Sequence, residues 1–170
     1  MAIRDIRLLG DPVLRQKAEP LDGLDAETRR LIADMFDTMY EADGVGLAAP
    51  QVGIGHRVIV VDPRDEHVKP FALINPVILD FGRELDRGEE GCLSIPGVKD
   101  IVERPSTVLV QGLDGEGNPT HIAAEGLLAR VLQHEIDHLD GILFFDRLSP
   151  LKRKMLLSKW QKVKPEPKVS

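Results

Sequence analysis

Two histidines four residues apart, with a glutamate directly after the first, stand in the stretch Val131-Leu132-Gln133-His134-Glu135-Ile136-Asp137-His138-Leu139. No other feature restricts the fold as much. On a helix, residues i and i+4 lie one above the other, so both imidazoles reach one cation while the glutamate stands to its side. This is the H-E-x-x-H metal pattern. At about 100° per residue, Leu127, Val131, His134 and His138 fall within about 60° of one another on the helical wheel, and Glu135 sits at the edge of that sector. Leu128, Leu132, Ile136 and Leu139 form a second, apolar sector. Gly126, Arg130, Gln133, Asp137 and Asp140 are left as a narrow polar strip. A helix apolar over so much of its circumference is buried. Two rings and a carboxylate set among leucines then need something to satisfy them, and a bound cation does so.

The remaining elements are shorter and mostly extended. From Asp25, a good N-cap, apolar residues recur at Leu31, Ile32, Met35, Phe36, Met39 and Tyr40, which predicts an amphipathic helix stopped by Asp43-Gly44. Residues 3–20, broken by Pro12 and Pro20, read as an irregular arm with one helical turn. Arg57 to Asp62 reads as a buried strand. Phe71 to Leu79 reads as another, placed at a sheet edge by its internal Asn75-Pro76. Ile101–Glu103, Thr107–Leu113 and Pro119–Ala123 are strands, the last two joined as a hairpin by the turn at Asp114–Asn118. His121, in the second hairpin strand, reads as a half-buried structural histidine. A basic helix is expected from Ser149, with Leu151, Met155, Leu156 and Trp160 on its apolar side and the chain fraying beyond Lys164. Gly44 to Gly55, with four glycines, lacks the endings of phosphate and dinucleotide loops. It is either a backbone surface that approaches a ligand closely or a plain loop.

A catalytic metal site of this kind uses three protein ligands and one open position. After His138 the spacing of the metzincin proteases would require a histidine at 144, where Phe144 stands, and no histidine follows. A downstream glutamate, the thermolysin solution, is represented only by Glu166 in the tail. The third ligand therefore comes from upstream, and the one cysteine, Cys92, is the strongest candidate, because a thiolate suits iron or zinc. A structural metal site, the non-enzymatic alternative, would bring a fourth Cys or His, and no second cysteine exists.

Composition narrows the setting. At 170 residues, 42% hydrophobic and 29% charged, the chain suits one globular domain with a real core. We expect a single catalytic domain over 1–150 and a basic helix and tail over 151–170. That last segment holds seven of the 22 basic residues but only one of the 28 acidic ones, so a body of net charge −12 carries a tail of +6. The N-terminus lacks the apolar run of a signal peptide, and a lone cysteine fits a reducing compartment, so a cytoplasmic location is expected, with neither membrane nor DNA as a partner.

Three segments, Gly44-Val-Gly-Leu-Ala-Ala-Pro-Gln51, Glu90-Gly-Cys-Leu-Ser94 and Gln133-His-Glu-Ile-Asp-His138, together resemble the three motifs of the peptide deformylase family, in order and at similar spacing. The likeness runs from about Ile6 to Leu151, with Lys99 standing where many such proteins carry an arginine. It implies an α+β fold, with mixed or antiparallel sheets wrapped around the central H-E-x-x-H helix. It further implies hydrolysis of formyl-Met peptides at a Cys92-His134-His138 metal, natively Fe(II), with Ni(II) or Zn(II) able to replace it. Glu135 would be the acid and base, with Gln51 and the Leu93 N–H as oxyanion donors and Gly46 binding substrate backbone. Leu127 and Val131, already on the ligand face by the wheel, would line the methionine pocket. A metalloprotease cleaving peptide bonds is the alternative. Nascent formyl-Met chains are the expected partners, and the basic tail suggests contact with the ribosome.

Overall fold

The computed structural model describes residues 2–165. After a short turn at Pro12–Arg15 comes α1 (Ala26–Glu41), whose Asp25 cap accepts the Thr28 N–H at 2.8 Å. Then follow β1 (Gly46–Ala48), β2 (Val58–Val61), β3 (Phe71–Phe81), β4 (Leu85–Gly91), β5 (Lys99–Pro105), β6 (Thr107–Leu113) and β7 (Pro119–Glu125). The chain ends in α2 (Gly126–Leu139), a turn at Phe144–Arg147, and α3 (Pro150–Val163). Five strands make an antiparallel sheet in the order β1-β2-β3-β6-β7, and β4 pairs with β5 in a separate two-stranded ribbon.

Alternation along β2 explains why its whole run Val58-Ile-Val-Val61 is buried. Ile59 and Val61 turn to one side with Leu73 and Val110, where they meet Leu132, Ile136 and Leu139 of α2. Val58 and Val60 turn to the other side, where α1 brings Leu31, Met35 and Met39. Both faces of the sheet are thus covered. A third cluster, with Ile95, Val98, Val102, Phe144 and Phe145, lies under the ribbon and receives Leu156 and Trp160 of α3. β7 runs straight into α2 because Gly126 takes φ +60°, a left-handed value that a side chain would resist.

The structure corrects several expectations. β3 is the central strand of the sheet, not an edge; Asn75-Pro76 sits at a register shift, with Asn75 at φ +52° exchanging two 2.8 Å hydrogen bonds with the Leu21 backbone. The bulge is what lets a proline occur in mid-sheet. β4, which the charged run 85–91 concealed, is a strand. His121 is exposed, not half-buried. The polar strip of α2 is buried along with the rest of the helix at Arg130, Gln133 and Asp137, as the apolar circumference implied. On α3, Leu151 and Met155 are 69% and 62% exposed, so Leu156 and Trp160 alone of the four hold the helix down. Of the tail beyond Lys164, residues 166–170 lie outside the described residues. No helix among the described residues is long and apolar enough to cross a membrane.

Candidate active site

From Ala129 to Leu139 every residue of α2 is buried, so the helix presents its functional groups inside the protein. One ligand atom each from Cys92, His134 and His138 falls within 4.8 Å of the others. Cys92 comes from the turn that follows β4, and its Sγ lies 3.3 Å from His138 Nε2. His134 points its Nδ1 away from this centre, to Glu90 Oε1 at 2.9 Å, which leaves Nε2 for the centre. One thiolate and two imidazoles at this separation fit a single tetrahedral cation with an open fourth position. Among the described residues, Glu135 Oε1 is a buried side-chain atom without a hydrogen-bond partner, and Glu135 lines the same cavity as Cys92 and His134. The donor set therefore accommodates the divalent ion that its chemistry implies.

The electrostatics point the same way. Burial opposes charge on His134, yet the Cys92 contact and the carboxylates of Glu135 and Glu90 together raise its pKa well above the ordinary value. The cluster favours positive charge at its centre. Burial, and after it the charge on His134, pushes His138 well below its ordinary value. Burial also raises Glu135 to about 7, against the attraction of His134, which poises the carboxyl to accept and return a proton near neutrality.

Around these groups lies a cavity of about 610 Å³, lined among others by Gly46, Gln51, Leu93, Leu127, Val131 and Glu135. Gln51 is fixed by the turn at Ala49–Val52: its Oε1 accepts the Ala48 N–H at 3.0 Å, and its Nε2 donates to Ser94 Oγ at 3.1 Å and faces Cys92 Sγ at 3.5 Å. The Leu93 N–H has no acceptor among the described residues. Val131 is buried in the wall, whereas Leu127 is 53% exposed and forms the rim. A Cβ on Gly46 would meet Glu135 Oε2 at 2.7 Å, so glycine is what allows β1 to lie against the carboxylate. Lys99 reaches the mouth of the cavity, where its Nζ lies 3.9 Å from Glu89. Gly46, Gln51, Cys92, Leu93, Leu127, Val131, His134, Glu135 and His138 thus border this one cavity or the donor cluster in its floor.

Sequence reasoning missed the charged groups behind the cluster. Glu90 takes Arg104 Nε on Oε2 at 2.6 Å and Arg104 Nη2 on Oε1 at 2.9 Å. Arg104 continues to Asp137 at 3.0 Å, and Asp137 is held by Arg147 from the surface. Burial would raise the Glu90 carboxyl, but the His134 hydrogen bond and Arg104 outweigh it and hold the pKa at about 2. A fixed carboxylate on the outer nitrogen of a ligand histidine sets its tautomer and orientation. The available signal was Arg130 and Asp137 on an otherwise buried helix, since charges there must find partners.

A small α+β domain with two histidine donors on its central helix and a cysteine donor beside them has the build of a metal-dependent hydrolase. Its relatives say which. The polypeptide deformylase family model matches residues 3–154. The chain is 49% identical over 165 residues to a peptide deformylase of Maricaulis maris, covering 96% of this chain and 95% of that one. It is 50% identical over 163 residues to that of Thermodesulfovibrio yellowstonii, covering 95% and 98%. Among solved structures, a Legionella pneumophila peptide deformylase superposes with a TM-score of 0.90 at 48% identity, covering 98% of this chain and all of that one. One from Ehrlichia chaffeensis in complex with actinonin gives 0.89 at 40%, with the same coverage. The chain belongs to the peptide deformylase family.

Proposed function

We propose that this protein hydrolyses the formyl amide of N-formylmethionyl peptides on newly made chains, releasing formate and a free methionyl amino terminus. The observation that carries the reading is the buried Glu135 carboxylate beside three converging donor atoms, at the floor of a cavity that admits a peptide end. Family membership favours this reaction over peptide-bond cleavage.

Cys92, His134 and His138 would hold a divalent cation, with Fe(II) as the native ion and Ni(II) or Zn(II) able to replace it; Cys-His-His suits all three. Such an ion, when bound, supplies Lewis-acid polarisation and lowers the pKa of water. Glu135 takes a proton from the attacking water as oxygen bonds to the formyl carbon. It returns that proton to the nitrogen as the C–N bond breaks, so formic acid and a neutral amine form, and the acid's proton passes to the amine to give formate and an ammonium. The Gln51 Nε2 and the Leu93 N–H, both on the cavity wall, donate to the oxygen that becomes negative. β1 is an edge strand, and Gly46 within it offers backbone to an extended peptide. Val131 and Leu127 receive the methionine side chain.

Lys152, Lys159 and Lys162 of α3 all face solvent, which supports a phosphate-binding face toward the ribosome of the cytoplasm. The deciding assay incubates the anaerobic holoenzyme with formyl-Met and unformylated peptides and measures formate and new amino termini separately. Formate in step with one new amino terminus is expected. Internal cleavage without formate overturns the reading.

A further inference from the structure

The mechanism above leaves one buried cation without a role. Arg130 stands one turn before His134 on α2 and is 8% exposed. Its Nη1 donates to Glu90 Oε2 at 2.6 Å and to the Val102 carbonyl of β5 at 3.0 Å. Its Nη2 donates to the Asp86 carbonyl of β4 at 2.9 Å. One guanidinium therefore joins three things: the helix that carries both histidines, the ribbon whose end delivers Cys92, and the carboxylate that holds His134.

The ribbon is shaped to receive it. Gly88 pairs with Val102 in the ribbon, and a Cβ at Gly88 would lie 2.9 Å from both Nε and Cζ of Arg130. Those atoms cannot retreat cheaply, because the hydrogen bonds just described hold the group. The missing side chain at 88 is thus the space in which the guanidinium sits.

We propose that Arg130, seated over Gly88, is a positioning residue for the metal centre: it fixes Glu90, and through it His134, at the distance from Cys92 at which the site closes on a cation. Without Arg130, Glu90 keeps Arg104 but loses its second donor on Oε2, and α2 loses the side chain that bonds backbone carbonyls of both ribbon strands. Loss of an outer partner of a ligand histidine typically costs 10–100-fold in metal affinity, and a loosened ribbon adds to this by displacing the thiolate.

The inference rests on reading Cys92, His134 and His138 as the ligands, so the test begins with the parent protein. Folded protein is stripped of metal and loaded with Co(II), and thiolate-to-cobalt absorption is recorded. Zn(II) affinity is measured by chelator competition. If the parent shows no thiolate band, the ligand reading itself fails. Given a normal parent, Arg130→Met is expected to weaken Zn(II) binding by at least about tenfold and to change the cobalt spectrum, with Arg130→Lys restoring part of both. Gly88→Ala, which leaves the arginine but crowds it, should move both readouts in the same direction. It decides the matter if Arg130→Met does not fold. Affinity within threefold of the parent and an unchanged cobalt spectrum, in whichever of these variants fold, would overturn the proposal even where thermal stability has dropped.

Discussion

Gly46 and Glu135 are in contact across the cavity floor, with room for no atom between them: a methyl on the glycine would come to 2.7 Å from the carboxylate oxygen and 2.9 Å from Val131. Gly46→Ala should therefore displace the Glu135 side chain while leaving β1 paired with β2. Misplacement of a catalytic group by about 1 Å can cost on the order of 100-fold. We expect kcat to fall by about that factor with metal content unchanged, as read by steady-state kinetics on metal-quantified protein. Full activity would mean that the carboxylate tolerates displacement.

Cys92→Ala and Glu135→Gln should fail in opposite ways. The first removes one of three donors and should empty the site on dialysis, because two histidines alone bind weakly. The second keeps every donor and should retain metal, but lose roughly 100- to 10,000-fold in turnover for want of a base. Metal analysis beside formate release separates them, and metal-replete Cys92→Ala would remove the cysteine from the ligand set.

Fe(II) with a thiolate ligand meets oxygen directly, and Cys92 is only partly buried. Activity of an iron-loaded sample should decay in air before its circular dichroism changes, and a nickel-loaded sample should outlast it. Equal decay of the two forms would rule out iron oxidation as the cause.

Deleting α3 would be a poor test of ribosome contact, because Trp160 is 3% exposed and packs with Ile95 and Val98, residues that also line the cavity. Trp160→Ala should cost about 3–5 kcal/mol, visible in urea denaturation. Charge reversal at the exposed Lys152, Lys159 and Lys162 leaves that packing alone. It should weaken low-salt co-sedimentation with ribosomes while peptide deformylation is kept. Unchanged co-sedimentation would leave those lysines as a solvated face.

Asp146 accepts from Arg15 and from the Leu143 N–H; burial opposes its ionisation, but these partners outweigh it and lower its pKa. A carboxyl lowered by folding contributes stability above its unfolded pKa, about 4, and loses it as pH falls through the folded value. Asp146→Asn should therefore be less stable than the parent at pH 7, with the gap narrowing progressively below about pH 4. Urea melts at several pH values measure this, and a gap independent of pH would show that the charge plays no part.

How far the sequence could be read depended on whether a residue's partner was periodic or distant. The motif helix, its two histidines and the Asp25 cap were legible because each depends on residues within one or two turns. Cys92 could be found because one cysteine leaves no choice, although the strand before it was hidden: β4 is charged at most positions and is held by pairing with β5 rather than by burial. Asn75-Pro76 misled because a bulge, which local sequence does not announce, reconciles proline with the middle of a sheet. Leu151 and Met155 misled because a wheel cannot say how wide a contact α3 makes. The Arg104, Glu90 and Arg130 cluster joins residues 14 and 40 positions apart, and no periodicity connects those.

Because α2 is covered on every side from Ala129 onward, its amides have no private route to solvent. Exchange of their hydrogens should require the whole domain to open, whereas an ion can come and go through the cavity beside Leu127 without disturbing a single turn. Protection of the scaffold and loss of a bound ion should therefore run on separate clocks, read as amide exchange against chelator-driven metal release.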